Sequence, residues 1–225
     1  MPTSRLRLAL PVLLALSALL LACDGGSSER DEPGEFDYYA LVLSWTPSYC
    51  LGDGRSRKDG QCDRHARRAF TLHGLWPQYE QGWPEDCDIG KRPWVPQAVI
   101  DGMRGIMSSK SLIIHEYRAH GTCSGLDAAQ YFQVARALYD RIDVPARFAA
   151  PDARLLASPD EIEREFVAAN PWLKPEMMSV TCRRSNLLDV RICFGRDLVP
   201  RACGVNEDQK RLCRASEIAV PPVSP

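Results

Sequence analysis

Three of the four histidines in this chain fall in two short segments, one of which also carries a glutamate. The first is Phe70-Thr71-Leu72-His73-Gly74-Leu75-Trp76-Pro77-Gln78. The second is Ile114-His115-Glu116-Tyr117-Arg118-Ala119-His120-Gly121-Thr122-Cys123. Imidazole titrates close to neutrality, so a cluster of this kind suits proton transfer. At about 100° per residue on a helix, Glu116 and His120 stand about 40° apart around the axis. A carboxylate so placed can accept the imidazole N–H and favour its charged form. His115 sits about 100° from Glu116 and about 140° from His120. A lone histidine is more often a satisfied structural group. Three beside one glutamate favour a site.

Other chemistries fit less well. A His-Glu-x-x-His zinc motif puts two ligands four apart on one helical face. Here three residues separate Glu116 from His120, so the histidines are five apart and diverge too far to chelate one ion. Thiol catalysis is weaker still. Nine cysteines in one chain point to an oxidising compartment, and an even mature set is explained by disulfides. His65, among Arg64, Arg67 and Arg68, reads as a solvated basic loop, with an outer phosphate subsite as the alternative.

The elements that must position these groups can be read coarsely. Tyr38 to Trp45 is apolar and aromatic, hence a strand. Ala69 to Leu75 reads as a second, buried strand, and residues 51–64 as a loop between them. Pro77 to Pro93 reads as a long loop. Pro96 to Met107 suggests a helix weakened by Gly102 and Gly105. Leu112 to Gly121 reads as a helix ending at its glycine. Asp127 can cap a helix whose stripe is Tyr131, Val134, Ala135, Leu138 and Ile142. Ser158-Pro159-Asp160-Glu161 carries a cap, a first-turn proline and a capping-box glutamate, opening a helix that stops before Asn170-Pro171. Leu188, Val190, Ile192 and Phe194 alternate with Asp189 and Arg191, as in a strand with one wet face. Ser179 to Arg183 pairs with it through the Arg184-Ser185-Asn186 turn. Helices and strands mix without regular βαβ alternation, so the class is α+β in one domain.

The 225 residues are 45% hydrophobic and 25% charged, an ordinary globular composition. The net charge is −1. Without Arg5 and Arg7, 26 basic residues face 29 acidic ones. That balance excludes a protein that coats nucleic acid through a dense basic field. Residues 1–22 read as an export signal: two arginines, then Leu8 to Leu21, an apolar run of about 14 residues where a membrane span needs about 20. Leu20-Leu21-Ala22-Cys23 is similar to a bacterial lipobox, with lipid carried on Cys23. A plain cleaved signal is the alternative. Residues 23–35 read as a flexible tether, residues 36–214 as the folded domain, and residues 215–225 as an unpaired tail.

The two histidine segments resemble those of the ribonuclease T2 family of secreted acid endoribonucleases. His73-Gly74-Leu75-Trp76-Pro77 matches the first active-site segment, and His115 to Cys123 the second. Leu41-Val42-Leu43-Ser44-Trp45 with Pro47 and Cys50 is similar to the family's first strand. Val190-Arg191-Ile192-Cys193-Phe194 with Asp197-Leu198 is similar to its C-terminal strand. The resemblance implies a central antiparallel sheet flanked by helices. It also implies the disulfides Cys50–Cys62, Cys87–Cys123, Cys182–Cys213 and Cys193–Cys203. By the same resemblance, the chain cleaves single-stranded RNA without metal or other cofactor. His120 is the base, His73 the acid, His115 a phosphate ligand and Glu116 a support for the charge. Trp76 would stack a base and Gln78 read an edge, although Trp76 also suits a core aromatic. No protein partner is implied. The expected form is a monomer, exported to a bacterial cell envelope and held by its lipid, facing periplasm or exterior. Two departures stand out. The family's usual lysine is Ala119 here, with Arg118 turned about 100° away on the helix, and the usual aspartate is Gln78. Ala119 is the feature that favours the alternative, a catalytically weak T2-like scaffold that binds RNA or a protein.

Overall fold

The computed structural model describes residues 31–52, 62 and 67–223. His65 and Cys23 lie outside the described residues, as do the export signal and most of the tether. Six strands form one sheet in the order β2-β1-β5-β6-β3, with β4 paired to β5. The strands are β1 Tyr38–Trp45, β2 Phe70–Gln78, β3 Leu155–Ala157, β4 Met178–Arg183, β5 Asn186–Gly195 and β6 Ile218–Val220. All pairings are antiparallel except β5 with β6, which is parallel, so the sheet is mixed.

Strand β1 is buried along its whole length, and its two faces do different work. Tyr39, Leu41, Leu43 and Trp45 join Phe70, Leu72 and Leu75 of β2 and Val190, Ile192 and Phe194 of β5 in the hydrophobic core. Tyr38, Ala40, Val42 and Ser44 alternate onto the opposite face. On that face lie Asp189 and Arg191 of β5, across from Ser44 and Val42. The alternation in β5 therefore has a different meaning from the one expected. Asp189 is buried and Arg191 half-buried, because other side chains cover that face.

The helices are α1 Thr46–Leu51, α2 Gln97–Met103, α3 Lys110–Ala119, α4 Ala128–Tyr139, α5 Ala146–Ala149, α6 Pro159–Ala169 and α7 Gln209–Leu212. Helices α4 and α6 begin in complete capping boxes, Asp127 with Gln130 and Ser158 with Glu161. Ile142 lies past the end of α4. Helix α4 also covers the free edge of β2, where the Tyr131 hydroxyl donates to the Leu75 carbonyl at 2.9 Å. The β4–β5 turn holds Arg184 and Ser185 at positive φ, 51° and 60°, as a tight hairpin requires.

Both ends of the folded unit differ from expectation. The described part of the tail, residues 215–223, is not free. Ile218–Val220 pair with β3, and Ala219 pairs with Asn186 of β5. Trp45 Nε1 donates to the Pro221 carbonyl at 3.1 Å, and Val223 is buried with its N–H on Pro151. The physical reason is the apolar Ile218-Ala219-Val220 triplet, which fills a gap between β3 and β5. The prolines only end the strand, as residues without an N–H must. The last residues assigned to the tether are also docked: Gly34 N–H bonds the Cys123 carbonyl at 2.9 Å. The four disulfides are Cys50–Cys62, Cys87–Cys123, Cys182–Cys213 and Cys193–Cys203, the same four pairs that the resemblance implies.

Candidate active site

A β-bulge sets the position of His73. Leu43 pairs with Leu72 and Val42 pairs with Gly74, so His73 is the extra residue of β2. A bulge lets Leu72 and Leu75, three apart, both face the core. It also places His73 and Trp76 together on the polar side, with ring centroids 5.4 Å apart.

Helix α3 brings the second segment over this bulge. Ser109 caps it by accepting from the Leu112 N–H at 3.2 Å. Ile113 and Tyr117 anchor it in the core, Tyr117 against Tyr131 and Phe132. Glu116 lies on the same side, 1% exposed. Its Oε2 accepts from Trp76 Nε1 at 2.8 Å, and its Oε1 lies 3.3 Å from His73 Nε2. Gly74 makes this approach possible, because a Cβ there would run into the Glu116 carboxylate. His120 stands at the C-cap of α3, its ring 5.0 Å from the Trp76 indole. The rings of His73 and His120, 47 residues apart in sequence, thus both meet one indole. His120 Nδ1 is buried without a hydrogen-bond partner among the described residues. His115 is exposed on α3, beside Glu116 in sequence and turned away from it.

The long loop before α2 closes one side. Cys87–Cys123 ties it to the turn that follows α3, and Asp86 N–H bonds the Ala119 carbonyl at 2.8 Å. This holds Glu85 where its charge acts on His120.

The two imidazoles are driven in opposite directions. Burial pulls His73 down, but the Glu116 bond and the charges of Glu116 and Asp189 outweigh it, and its pKa is raised. Burial also pulls His120 down. There Glu116 and Glu85 do not compensate, His115 and His73 add to the effect, and its pKa is lowered. Burial pushes Glu116 up, but His73, His120 and the Trp76 N–H overcome it and hold the carboxyl below its ordinary range. A pair of titratable groups pushed apart is the usual arrangement for an acid and a base in one site.

The structure brings His73, Trp76, Glu116 and His120 together, with His115 exposed on the same helix. It does not bring Gln78 to this pocket. Gln78 is 3% exposed; its amide donates to the Pro77 carbonyl and accepts from Asn206. Trp76 is tied into the site by its N–H on Glu116, with the Arg191 guanidinium 5.0 Å from its ring centroid. Sequence reasoning missed Ser44, Asp189, Arg191 and Glu207. Ser44 Oγ lies 2.8 Å from His73 Nδ1 and donates to Asp189 at 2.6 Å. Arg191 pairs with the buried Glu207 at 3.5 Å, and Glu207 accepts from the Tyr38 hydroxyl. The available signal was Ser44 itself, a hydroxyl inside an otherwise apolar strand. One group of candidate metal ligands occurs among the described residues: Cys193, Cys203 and Glu207. Its two sulfurs are joined in a disulfide.

A sequence pattern described as the Ribonuclease T2 family matches residues 36–203, which include both histidine segments. The chain belongs to the ribonuclease T2 family. It is 38% identical over 137 residues to a protein named Ribonuclease from Aeromonas hydrophila, covering 60% of each chain. It is 27% identical over 208 residues to Ribonuclease 1 of Arabidopsis thaliana, covering 81% of this chain and 86% of that one. The chain therefore spans less than two thirds of the Aeromonas relative's length. Two solved structures share the T2 fold. An RNase-related protein from Calystegia sepium has a TM-score of 0.66 at 23% identity, covering 83% of this chain and 98% of that one. Ribonuclease MC1 from the seeds of bitter gourd has a TM-score of 0.56 at 23% identity, covering 72% and 90%.

Proposed function

We propose that this T2-family chain is a metal-independent endoribonuclease that cleaves single-stranded RNA through a 2′,3′-cyclic phosphate. The supporting observation is the convergence of His73 and His120 on one indole with Glu116 between α3 and β2. RNA carries its nucleophile beside the scissile phosphate, so little more than proton transfer and charge stabilisation is required. His120, whose neutral form burial favours, takes the 2′-OH proton. The 2′-oxygen bonds to phosphorus, the P–O5′ bond breaks, and His73 gives its proton to the departing 5′-oxygen. His115 holds the phosphate from the exposed side, and Glu116 sustains the charged form of His73. Each acid or base contributes about 10²–10⁴-fold. Trp76 holds Glu116 through its indole N–H and offers its remaining surface to a base. DNA, lacking the 2′-OH, is inert.

The test is RNA cleavage in EDTA with analysis of the product ends. Cleavage that persists and leaves cyclic phosphates supports this reading. Abolition by EDTA would transfer the reaction to a metal. No cleavage at any pH would favour the RNA-binding scaffold, for which Ala119 speaks. The N-terminal sequence supports export and lipid attachment at Cys23, anchoring the enzyme in a bacterial envelope. Mass analysis of the mature N-terminus tests the lipid, and a free Cys23 thiol or a cut elsewhere refutes it.

A further inference from the structure

The proton on the far side of His73 is fixed by a chain of hydrogen bonds that the mechanism above does not use. Ser44 has one proton. It goes to Asp189 Oδ1 at 2.6 Å, because an ionised carboxylate only accepts. Ser44 Oγ, 2.8 Å from His73 Nδ1, must therefore accept there. The far carboxylate oxygen is also occupied. Thr181 Oγ1 donates to Asp189 Oδ2 at 3.2 Å and accepts from the Asp189 N–H at 3.0 Å. The chain thus has one direction, from imidazole to hydroxyl to carboxylate, and all three side chains beyond the ring are buried.

We propose that Asp189, acting through Ser44, is a positioning residue that keeps a proton on His73 Nδ1 and so makes Nε2 the nitrogen that gains and loses one. Nε2 is the atom beside Glu116 Oε1. In charged His73 the Nδ1–H has Ser44 as its acceptor and the Nε2–H stands in ion-pair contact with Glu116, 3.3 Å away. In neutral His73 the Nε2 lone pair is free to take the proton back. That His73 serves as the acid rests on the proposed function; the tautomer does not. The charged and titratable groups around the ring are Glu116 and His120 from α3 and Asp189 and Arg191 from β5. Glu116 and Asp189 favour its charged form, and Arg191 opposes it.

Asp189→Asn makes the sharpest test. Thr181 still needs an acceptor, so the amide oxygen turns to it and the amide N–H₂ faces Ser44. Ser44 then accepts from the amide and donates to Nδ1, which reverses the chain. Histidine ¹⁵N chemical shifts measured above the His73 titration read the tautomer directly. The expected result is Nδ1–H in the wild type and in Ser44→Thr, and Nε2–H in Asp189→Asn. The basic limb of the kcat/KM profile should move to lower pH in Asp189→Asn. Activity on that limb should fall about tenfold or more, a part of the 10²–10⁴-fold an acid supplies, while the acidic limb stays within about threefold. Should Asp189→Asn not fold, Ser44→Ala is to show the same loss on the basic limb, with Ser44→Thr restoring it. Nε2–H in the wild type, an unchanged tautomer in Asp189→Asn, or a uniform loss at every pH would overturn the proposal. A wild type that cleaves no RNA would remove the proposed function instead, and the tautomer measurement would still decide this one.

Discussion

Replacing Gly74 with alanine tests the packing of the site through a single methyl group. The new Cβ would collide with Glu116 Oε2, and would lie 2.7 Å from Trp76 Nε1 and 3.0 Å from Glu116 Cδ. The backbone at Gly74 needs no left-handed conformation, so the penalty is steric. A carboxylate is the far end of a flexible side chain and can swing away. In doing so it loses the Trp76 N–H and the contact with His73. Hydrogen bonds to charged groups contribute about 1.5–3 kcal/mol. Removing a glycine from the unfolded chain returns about 0.4–1 kcal/mol. The net cost is then about 1–2 kcal/mol, or roughly 2–8 °C in Tm for a chain of this size. Activity should fall further than stability, because His73 loses the partner that keeps it charged. The assay is a double-mutant cycle with Glu116→Ala, read by thermal unfolding. If the carboxylate is what the methyl displaces, Gly74→Ala costs much less once Glu116 is truncated, with a coupling of about 1 kcal/mol or more. Equal costs in the two backgrounds would show that Gly74 is constrained by something other than Glu116, and the packing argument would fail.

His120→Ala should leave a folded protein with almost no activity. Retention of more than about a tenth of kcat would contradict the general-base role, since such a group contributes about 10²–10⁴-fold. The raised pKa of His73 makes the fold more stable below the ordinary imidazole range, and this contribution is lost as pH rises through the folded value. Stability against urea should therefore fall as pH rises across that window in the wild type and much less in His73→Gln; identical slopes would uncouple the pair from folding. Glu116 has the opposite sign: its lowered pKa contributes stability above the ordinary carboxyl range, lost as pH falls through the folded value. Cys87→Ser with Cys123→Ser should cost about 2–5 kcal/mol and should also slow cleavage at temperatures where the protein is folded, by releasing the loop that carries Glu85. Full activity in the folded double variant would show that the clamp serves stability alone.

Much of this architecture is written in local signals. Strand β1 has the bounds expected, Tyr38 to Trp45, and the capping boxes at Asp127 and Ser158 open α4 and α6. The histidine segments were legible because unusual residue types sit close together in the chain. What was not legible depends on tertiary pairing. The bulge at His73 exists only in the register between β1 and β2. The stretch from Leu72 to Trp76 therefore breaks the simple alternation that a strand reading expects. Asp189 and Arg191 looked like a solvated edge because alternation reveals two faces without saying what covers each. Gln78 looked available beside Trp76, but Asn206, 128 residues away, takes its amide. Ile218–Val220 is too short to declare itself a strand until β3 and β5 are in place on either side.

The site's position in the fold explains how so many ionisable groups can be buried near one another. A core of Leu, Val, Ile and Phe occupies one face of the sheet, leaving the other face to polar groups that must satisfy each other. On that second face Glu116 faces His73 and the Trp76 N–H, Asp189 faces Ser44 and Thr181, and Glu207 faces Tyr38 and Arg191. His73 stands between two of these carboxylates, which outweigh its burial. His120 ends a helix, where the dipole favours a charged imidazole, yet its Nδ1 has no hydrogen-bond partner among the described residues and burial prevails. The opposite pKa shifts of the two histidines follow from this asymmetry of partners, and the proposed division into acid and base rests on them. It follows too that a new acceptor placed against His120 Nδ1 should raise its pKa, shift the acidic limb of the rate profile upward, and slow cleavage at low pH without moving the basic limb.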